Sequence, residues 1–243
     1  QATTTVIKDT VIPTVTITSS PIINNANQAA YTVSGACSEN TRIVTVDIGG
    51  VAFTPTCSAL AWTTGAVDVS AAGDSLTLLI TADHDDAALN NAIQATTTVI
   101  KDTVIPTVTI SSAPDINNSN KTLYTVVGTC SDNTLSVDVS IGTLNVTPTC
   151  TGGSWTTGTQ DVSGQLDNSA FPITADLTDT SGNVATQAST TVDFDTVNPS
   201  VSITFSPNIT QVNVTNYVVS GLCSESTVSV FVVIGGMAAI TPT

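Results

Sequence analysis

Basic residues are nearly absent from this chain. Its 243 residues include four of them, Lys8, Arg42, Lys101 and Lys121, against 19 Asp and Glu, for a net charge of −15. That balance excludes nucleic acid as a partner, because phosphates need a basic footprint. It excludes attraction to anionic membrane surfaces for the same reason. Charge of either sign is scarce, at 9% of residues, and aromatic residues make up 4%. Scarce charge with a 41% hydrophobic content and a mean hydropathy of +0.30 does not describe a disordered chain, which needs low hydrophobicity. No apolar run approaches the roughly 18 residues of a membrane span, so no membrane insertion is expected in this segment. Helical periodicity is missing as well.

Repetition is what the chain has instead. The 17-residue string QATTTVIKDTVIPTVTI stands at 1–17 and again, unchanged, at 94–110, and a looser copy begins at Gln187. Tyr31-Thr-Val-Ser-Gly-Ala-Cys37 returns as Tyr124-Thr-Val-Val-Gly-Thr-Cys130 and as Tyr217-Val-Val-Ser-Gly-Leu-Cys223. The period is 93 residues, and a fixed period implies a row of like modules. Within a period the dominant signal is alternation among β-branched residues, the pattern of half-buried strands. Tyr31, Val33, Gly35 and Cys37 share one face, and Thr32, Ser34 and Ala36 share the other. Runs near 13–19, 30–37, 42–48, 51–57, 61–69, 75–82 and 93–100 fit strands, and Ile48-Gly-Gly-Val51 reads as a two-residue hairpin. About seven short strands in under ~100 residues predict an all-β fold of tandem immunoglobulin-like β-sandwiches. Pro172 stands where the first repeat has Leu79, and is expected at a strand start or facing away from the ladder.

Asp-Thr-Val-x-Pro-x-Val-x-Ile, the Tyr-x-Val-x-Gly strand, a Gly hairpin, a Trp and Ala175-Asp-Leu-Thr-Asp-Thr-Ser-Gly-Asn183 together resemble the bacterial Ig-like repeats of large surface adhesins and biofilm-associated proteins. The cysteine pairs depart from most repeats of that type. The resemblance implies an extracellular, cell-surface setting and neighbouring copies of the same repeat as partners. The topology then places the last strand of a preceding module at 1–8, complete modules at 9–101 and 102–194, and the first half of a further module at 195–243. Connectors of a few residues, closely followed by Pro, favour a stiff array over a flexible string.

Cys37 and Cys57 are 20 positions apart, as are Cys130 and Cys150. The third strand leaves the end where Cys37 sits, turns at Gly49-Gly50, and the fourth returns with Cys57. Both sulfurs therefore reach one end of the sandwich, and disulfides Cys37–Cys57 and Cys130–Cys150 are expected. Two Cys alone make a poor zinc site. The pairs imply an oxidising compartment. Cys223 is unpaired in this window because its counterpart is due just past Thr243.

Carboxylates gather in the segments expected at the module ends. These are Asp9, Glu39, Asp83, Asp85 and Asp86 for the first module, Asp102, Asp132, Asp176 and Asp179 for the second, and Asp193, Asp195 and Glu225 for the third. Two readings stand side by side. Oxygen-rich joints suit calcium, as the adhesin resemblance also implies, with Asp9, Glu39, Asp83, Asp86, Asp102, Asp132, Asp176, Asp179, Asp195 and Glu225 as ligands. Alternatively Asp and Asn only form turns, since no Asp-x-Asp-x-Asp-Gly loop exists. His84, opposite Leu177 in the second repeat, reads as a solvated loop residue, and Trp62 and Trp155 as buried rings beside the disulfides. The Asn-x-Ser/Thr triplets at Asn117, Asn120, Asn145, Asn208 and Asn213 are frequent by chance in so Thr-rich a chain. Lys8 and Lys101 recur where an Ig-type pilin would place an isopeptide lysine, but the third copy has Phe194 there.

The expected function is a non-catalytic structural segment of an extracellular adhesin-type stalk or fibre. The alternative is a segment of a self-assembling surface filament or sheath, with lateral association and exchange of strands or modules between neighbours. No catalytic residues are assigned, because no acid–base pair or nucleophile motif repeats with the modules.

Overall fold

The computed structural model describes residues 1–6 and 8–241. Among them the regular structure is β-strand, apart from one 3-10 turn at Gln28–Ala30. In the first repeat β3 (Val51–Phe53), β2 (Val44–Ile48), β5 (Ser75–His84) and β6 (Ala95–Lys101) form one sheet in that order, and β1 (Ser34–Ala36) with β4 (Ala61–Thr63) forms the other. All these pairs are antiparallel, with Ile48 opposite Val51 and Ile80. Gly49 and Gly50 hold φ of 59° and 92°, the left-handed pair that a two-residue hairpin requires. Alternation works as read: Val44, Val46, Ile48, Ile80 and Ala82 are fully buried, and they pack with Val15, Val33, Cys37, Cys57 and Trp62 in one core.

The run near 13–19 joins its sheet only through bridges, Val15 to Cys37 and Ser19 to Ser34. It then does something the alternation did not reveal. After Pro21 the chain changes sheets, and Ile23 pairs in parallel with Lys101 at the end of β6. The second repeat does the same with longer elements. There β7 (Val108–Ser112) pairs with β9 (Val127–Cys130), and past Pro114 β8 (Ile116–Asn117) pairs in parallel with β14 (Ala188–Asp195). A proline lacks the N–H that would continue the first pairing. Its carbonyl is taken by a tyrosine: Tyr31 Oη donates to Pro21 O at 2.6 Å and Tyr124 Oη to Pro114 O at 2.7 Å.

The second repeat otherwise follows the first. Its sheets run β11 (Leu144–Val146), β10 (Val137–Ile141), β13 (Asn168–Leu177), β14, β8, and β12 (Ser154–Thr156), β9, β7. Pro172 lies inside β13 rather than at its start, with its ring exposed. Pairing with β10 ends at Ile141–Ile173, and the Pro172 carbonyl accepts from Gly142 N in the adjoining turn. A strand residue's N–H and C=O point to the same side. The missing donor therefore falls beyond the last paired residue.

Residues 1–6 and 8 form no strand and are exposed, so the strand expected over 1–8 is not found among the described residues; Ile7 lies outside them. From 195 onward the strands beyond β14 are β15 (Val201–Phe205) and β16 (Ser220–Cys223), paired with each other and exposed at every position. Pro242 and Thr243 lie outside the described residues. By backbone proximity the chain forms two compact units. One comprises Gln1–Ala113, Thr125–Gly158 and Pro172–Thr190, and the other Pro114–Tyr124, Thr159–Phe171 and Thr191–Thr243. These units do not follow the repeat borders.

Candidate functional site

Within the first unit, the turn after β13 meets the loop before the 3-10 turn of the first repeat. The turn is Asp179-Thr180-Ser181-Gly182-Asn183. Asp179 Oδ1 accepts the backbone N–H of Ser181 and of Asn183, each at 2.8 Å, and Oδ2 accepts Asn183 Nδ2 at 2.8 Å. This is an Asx turn, favoured because a short carboxylate reaches its own backbone two residues on. The loop is built likewise. Asn24 Oδ1 accepts from the N–H of Ala26 and Asn27, while Asn27 Oδ1 accepts from Asn24 N.

Four hydrogen bonds join turn to loop and linker. Asn25 N donates to Asn183 Oδ1 at 2.8 Å, and Asn24 Nδ2 donates to Ser181 O at 3.0 Å. Asn183 Nδ2 donates to Asp102 O at 3.0 Å, and Ser181 Oγ donates to Asp102 Oδ2 at 3.1 Å. Asn183 is 2% exposed and Ser181 8%. Buried polar groups must be hydrogen-bonded, and here each is. Gly182, at φ 84°, lets the loop come close: a Cβ there would stand 3.1 Å from Asn24 Nδ2.

The linker is held from its other side too. Asp102 N donates to Ile23 O, and Thr103 donates to Asp74 from both N and Oγ1 at 3.0–3.1 Å. Lys101 Nζ, on a residue 3% exposed, lies 3.2 Å from Asp74 Oδ1. Partial burial pushes the Asp74 carboxyl up, but the Thr103 N–H, the Thr103 hydroxyl and Lys101 together hold it below the usual range. In the second unit Thr196 bonds Asp167 in the same way.

The first repeat carries the matching turn, Asp86–Asn90. Asp86 caps Ala88 N and Asn90 N, and binds Asn90 Nδ2 at 2.7 Å; Asn90 Nδ2 reaches Asp9 O at 3.4 Å. The Asn90 side chain, with burial working against it, followed by the Asn90 and Ala88 N–H groups and Arg42, holds the Asp86 carboxyl low.

The carboxylates read as calcium ligands are thus mostly occupied by donors. Asp83 and Asp176 bind the side chains of Gln94 and Gln187. Asp9, Asp102 and Asp195 each accept the N–H two residues on. Asp132 accepts the Ser131 hydroxyl. Glu39 instead donates its backbone N–H to His84, and Glu225 lines an open groove with Asp115, Asp193 and Asp195. Of Asp102, Asp132, Asp176 and Asp179, expected to converge, Asp102 and Asp179 meet at Ser181 and Asn183, and among the described residues no three His, Cys, Asp or Glu are grouped to hold a metal.

Cys37–Cys57 and Cys130–Cys150 are disulfides, and Cys223 is an exposed free thiol. His84 is not a solvated loop residue. It ends β5, is 4% exposed, and has both ring nitrogens bonded, to Ile43 O and Glu39 N. The Trp62 and Trp155 Nε1 atoms donate to Thr16 O and Thr109 O. A Cβ at Gly35 or Gly128 would collide with those carbonyls and with the indoles. In the sequence, Ser181 and Asn183 stand in the Ala175–Asn183 hairpin motif with no bonding role assigned, and Asn24 and Asn25 belong to no motif. Their signal is the Asp-x-x-x-Asn spacing, present in both repeats, and the Asn-Asn pair, which recurs as Asn117-Asn118.

No family model matches this chain, and no curated protein does. Solved structures of bacterial adhesin repeats are similar to it. A Ca2+-stabilized adhesin of an Antarctic bacterium that binds ice shares 23% identity at a TM-score of 0.46, over 81% of this chain and 53% of that one. A 1.5-MDa bacterial ice-binding adhesin shares 21% at 0.42, over 78% and 67%. A tetra-tandem repeat from the extending region of a large adhesion protein shares 18% at 0.38, over 95% and 62%. The chain spans about half the length of the first of these. The fold assignment rests on the chain's own sheets.

Proposed function

We propose that this chain is a non-catalytic structural segment of an extracellular adhesin-type stalk or fibre, built from Ig-like modules at 9–101 and 102–194, with 1–8 and 195–243 belonging to neighbouring modules. The observation that carries the reading is the linker Lys101–Thr103, tied by Asp74 on one side and by Ser181 and Asn183 on the other. A connector with hydrogen bonds to both neighbours cannot swing freely, so tension or bending passes from module to module through fixed geometry. Two disulfides support an oxidising, extracellular location. The partners are further copies of the repeat. The carboxylates serve this joint as hydrogen-bond acceptors.

Amide hydrogen exchange tests the reading. Asn25 N and Thr103 N, each bonded across the joint, should exchange as slowly as amides in β5 and β13. Exchange at free-peptide rates would mean a flexible tether, and the stalk reading would fall.

A further inference from the structure

The five Asn-x-Ser/Thr triplets have different surroundings. Asn120 and Asn213 are half-buried, and both ends of each amide are bonded. Their Oδ1 atoms accept from Asn117 N and Thr210 N, and their Nδ2 atoms donate to Asp115 O and Asn208 O. Asn145 lies in β11 and accepts the Ser140 hydroxyl. Asn208 is exposed, but its Thr210 turns both N–H and hydroxyl to Asn213. Of the five, Asn117 combines exposure with a turn closed on its own triplet. Ser119 donates to Asn117 Oδ1 from N at 2.9 Å and from Oγ as well. The Asn117 Nδ2 atom is left at the surface with no partner among the described residues. Two positions ahead stands Asp115, also exposed; the other triplets have Asn118, Thr143, Ser206 and Gln211 at that place. The equivalent loop of the first repeat is Asn24-Asn25-Ala26, which has no hydroxyl and so no triplet. There the amide nitrogen is used, donating to Ser181 O.

Resting on the extracellular reading above, we infer that Asn117 is an N-glycosylation site, selected by its exposed turn and by the Asp115 carboxylate. Such triplets are acceptors where they lie on the surface of an exported chain. The donor class is an oligosaccharide on a polyisoprenyl pyrophosphate, delivered by a transferase. Asn117 Nδ2 attacks the anomeric carbon, and a carbon–nitrogen bond forms. The bond from that carbon to the pyrophosphate oxygen breaks, the lipid pyrophosphate leaves, and the amide gives one proton to a base of the transferase. Asp115 supplies the charge by which the transferase tells this triplet from the other four. The glycan adds bulk on the atom that Asn24 turns to Ser181, so this loop meets solvent where the first repeat's meets a turn.

The test is mass spectrometry on protein isolated from its native cells. Trypsin places Asn117 in the peptide 102–121, apart from Asn145, Asn208 and Asn213. Fragment ions should put a sugar mass on Asn117 and none on Asn120. Ser119→Ala should abolish that mass and Ser119→Thr should retain it. The alanine does not disturb the loop, since Ala26 N already bonds Asn24 Oδ1 in the first repeat. Asp115→Asn, which keeps an acceptor for Asp193 N, should lose most of the occupancy. An unmodified Asn117 in a chain whose Cys37–Cys57 and Cys130–Cys150 bonds are formed overturns the site alone. Reduced cysteines in the isolated chain overturn the extracellular reading instead. Equal sugar on Asn145 or Asn208, or occupancy indifferent to Asp115→Asn, overturns selection by the turn and its carboxylate.

Discussion

Replacing Asn183 by Ala should separate the stability of the turn from that of the joint. The side chain makes three bonds: to Asp179 Oδ2 at 2.8 Å, to Asp102 O at 3.0 Å, and from Asn25 N at 2.8 Å. Bonds to charged groups are worth roughly 1.5–3 kcal/mol net and neutral ones about 1 kcal/mol. The site is 2% exposed, so the abandoned partners are not readily solvated. Allowing for non-additivity among neighbours, the loss should be about 3–5 kcal/mol. Asn90→Ala is the internal control. It removes the same bond to a carboxylate at 2.7 Å, but the second contact is longer, 3.4 Å, and no loop N–H is involved. That loss should be about 2 kcal/mol. The difference is the share owed to the joint. Native-state hydrogen exchange is the suitable assay, since a chain of several units need not unfold in one step. Asn183→Ala should also release the Asn25 and Ser181 amides ahead of the strands. Equal losses from the two substitutions would refute the claim that Asn183 binds the modules together.

Two further outcomes follow from the first repeat and from the tyrosine anchors. Ala59 and Leu60 hold φ of 53° and 63° where the second repeat has Gly152 and Gly153, and Leu60 is 56% exposed, so Leu60→Gly should stabilise the first repeat by about 0.5–1 kcal/mol in urea titration; a loss would show that the side chain packs more than its exposure implies. The Asp74 and Asp86 carboxyls are depressed, so the stability they contribute is present above the unfolded value near 3.8 and is lost as pH falls through their lower folded values. Burial raises the Tyr31 and Tyr124 hydroxyls to about 12, with Asp115 adding to the second. Their contribution is complete below the unfolded value near 10 and is lost between about 10 and 12. Denaturation midpoints across pH 2–12 (about one unit per step) should show both edges; a flat profile would contradict the assigned partners.

The strands were legible because alternation is a local signal: Val44, Val46 and Ile48 report their own burial, and Gly49-Gly50 reports its own turn. The cysteine pairs were legible because equal spacing and a hairpin between them constrain where two sulfurs can go. The sheet change after Pro21 was not, since the short segment around Ile23 has too few residues to show a period, and its partner Lys101 is far away in sequence. His84 misled because Asp83, Asp85 and Asp86 surround it and suggest a solvated loop. Its spacing from Ile80 and Ala82, both fully buried, placed it on the inward face all along. At the joint, attention to charge favoured Asp102 and Asp179 as cation ligands. In the structure their hydrogen-bond partners are amides and a hydroxyl, which carry no charge and so no conspicuous sequence signal.

What recurs between the repeats and what does not bears on which part is under physical constraint. Lys101, 3% exposed beside Asp74, corresponds to Phe194, which packs on Phe171 with ring centroids 5.0 Å apart. A buried lysine stem reaching an exposed carboxylate in one repeat is thus replaced by a buried aromatic ring in the other. That exchange is reasonable energetically, because the lysine's methylenes and the phenyl ring both fill the site with apolar atoms. Yet the carboxylate beside it keeps its other task in both repeats: Asp74 holds Thr103, and Asp167 holds Thr196, through backbone N–H and hydroxyl alike. If Asp74 served chiefly to neutralise Lys101, replacing the lysine by phenylalanine would remove the need for Asp167. Asp167 is present and bonded regardless. The hold on the linker is therefore independent of the chemistry chosen for the core beneath it, as expected where the geometry of the connection matters more than any one contact inside the module.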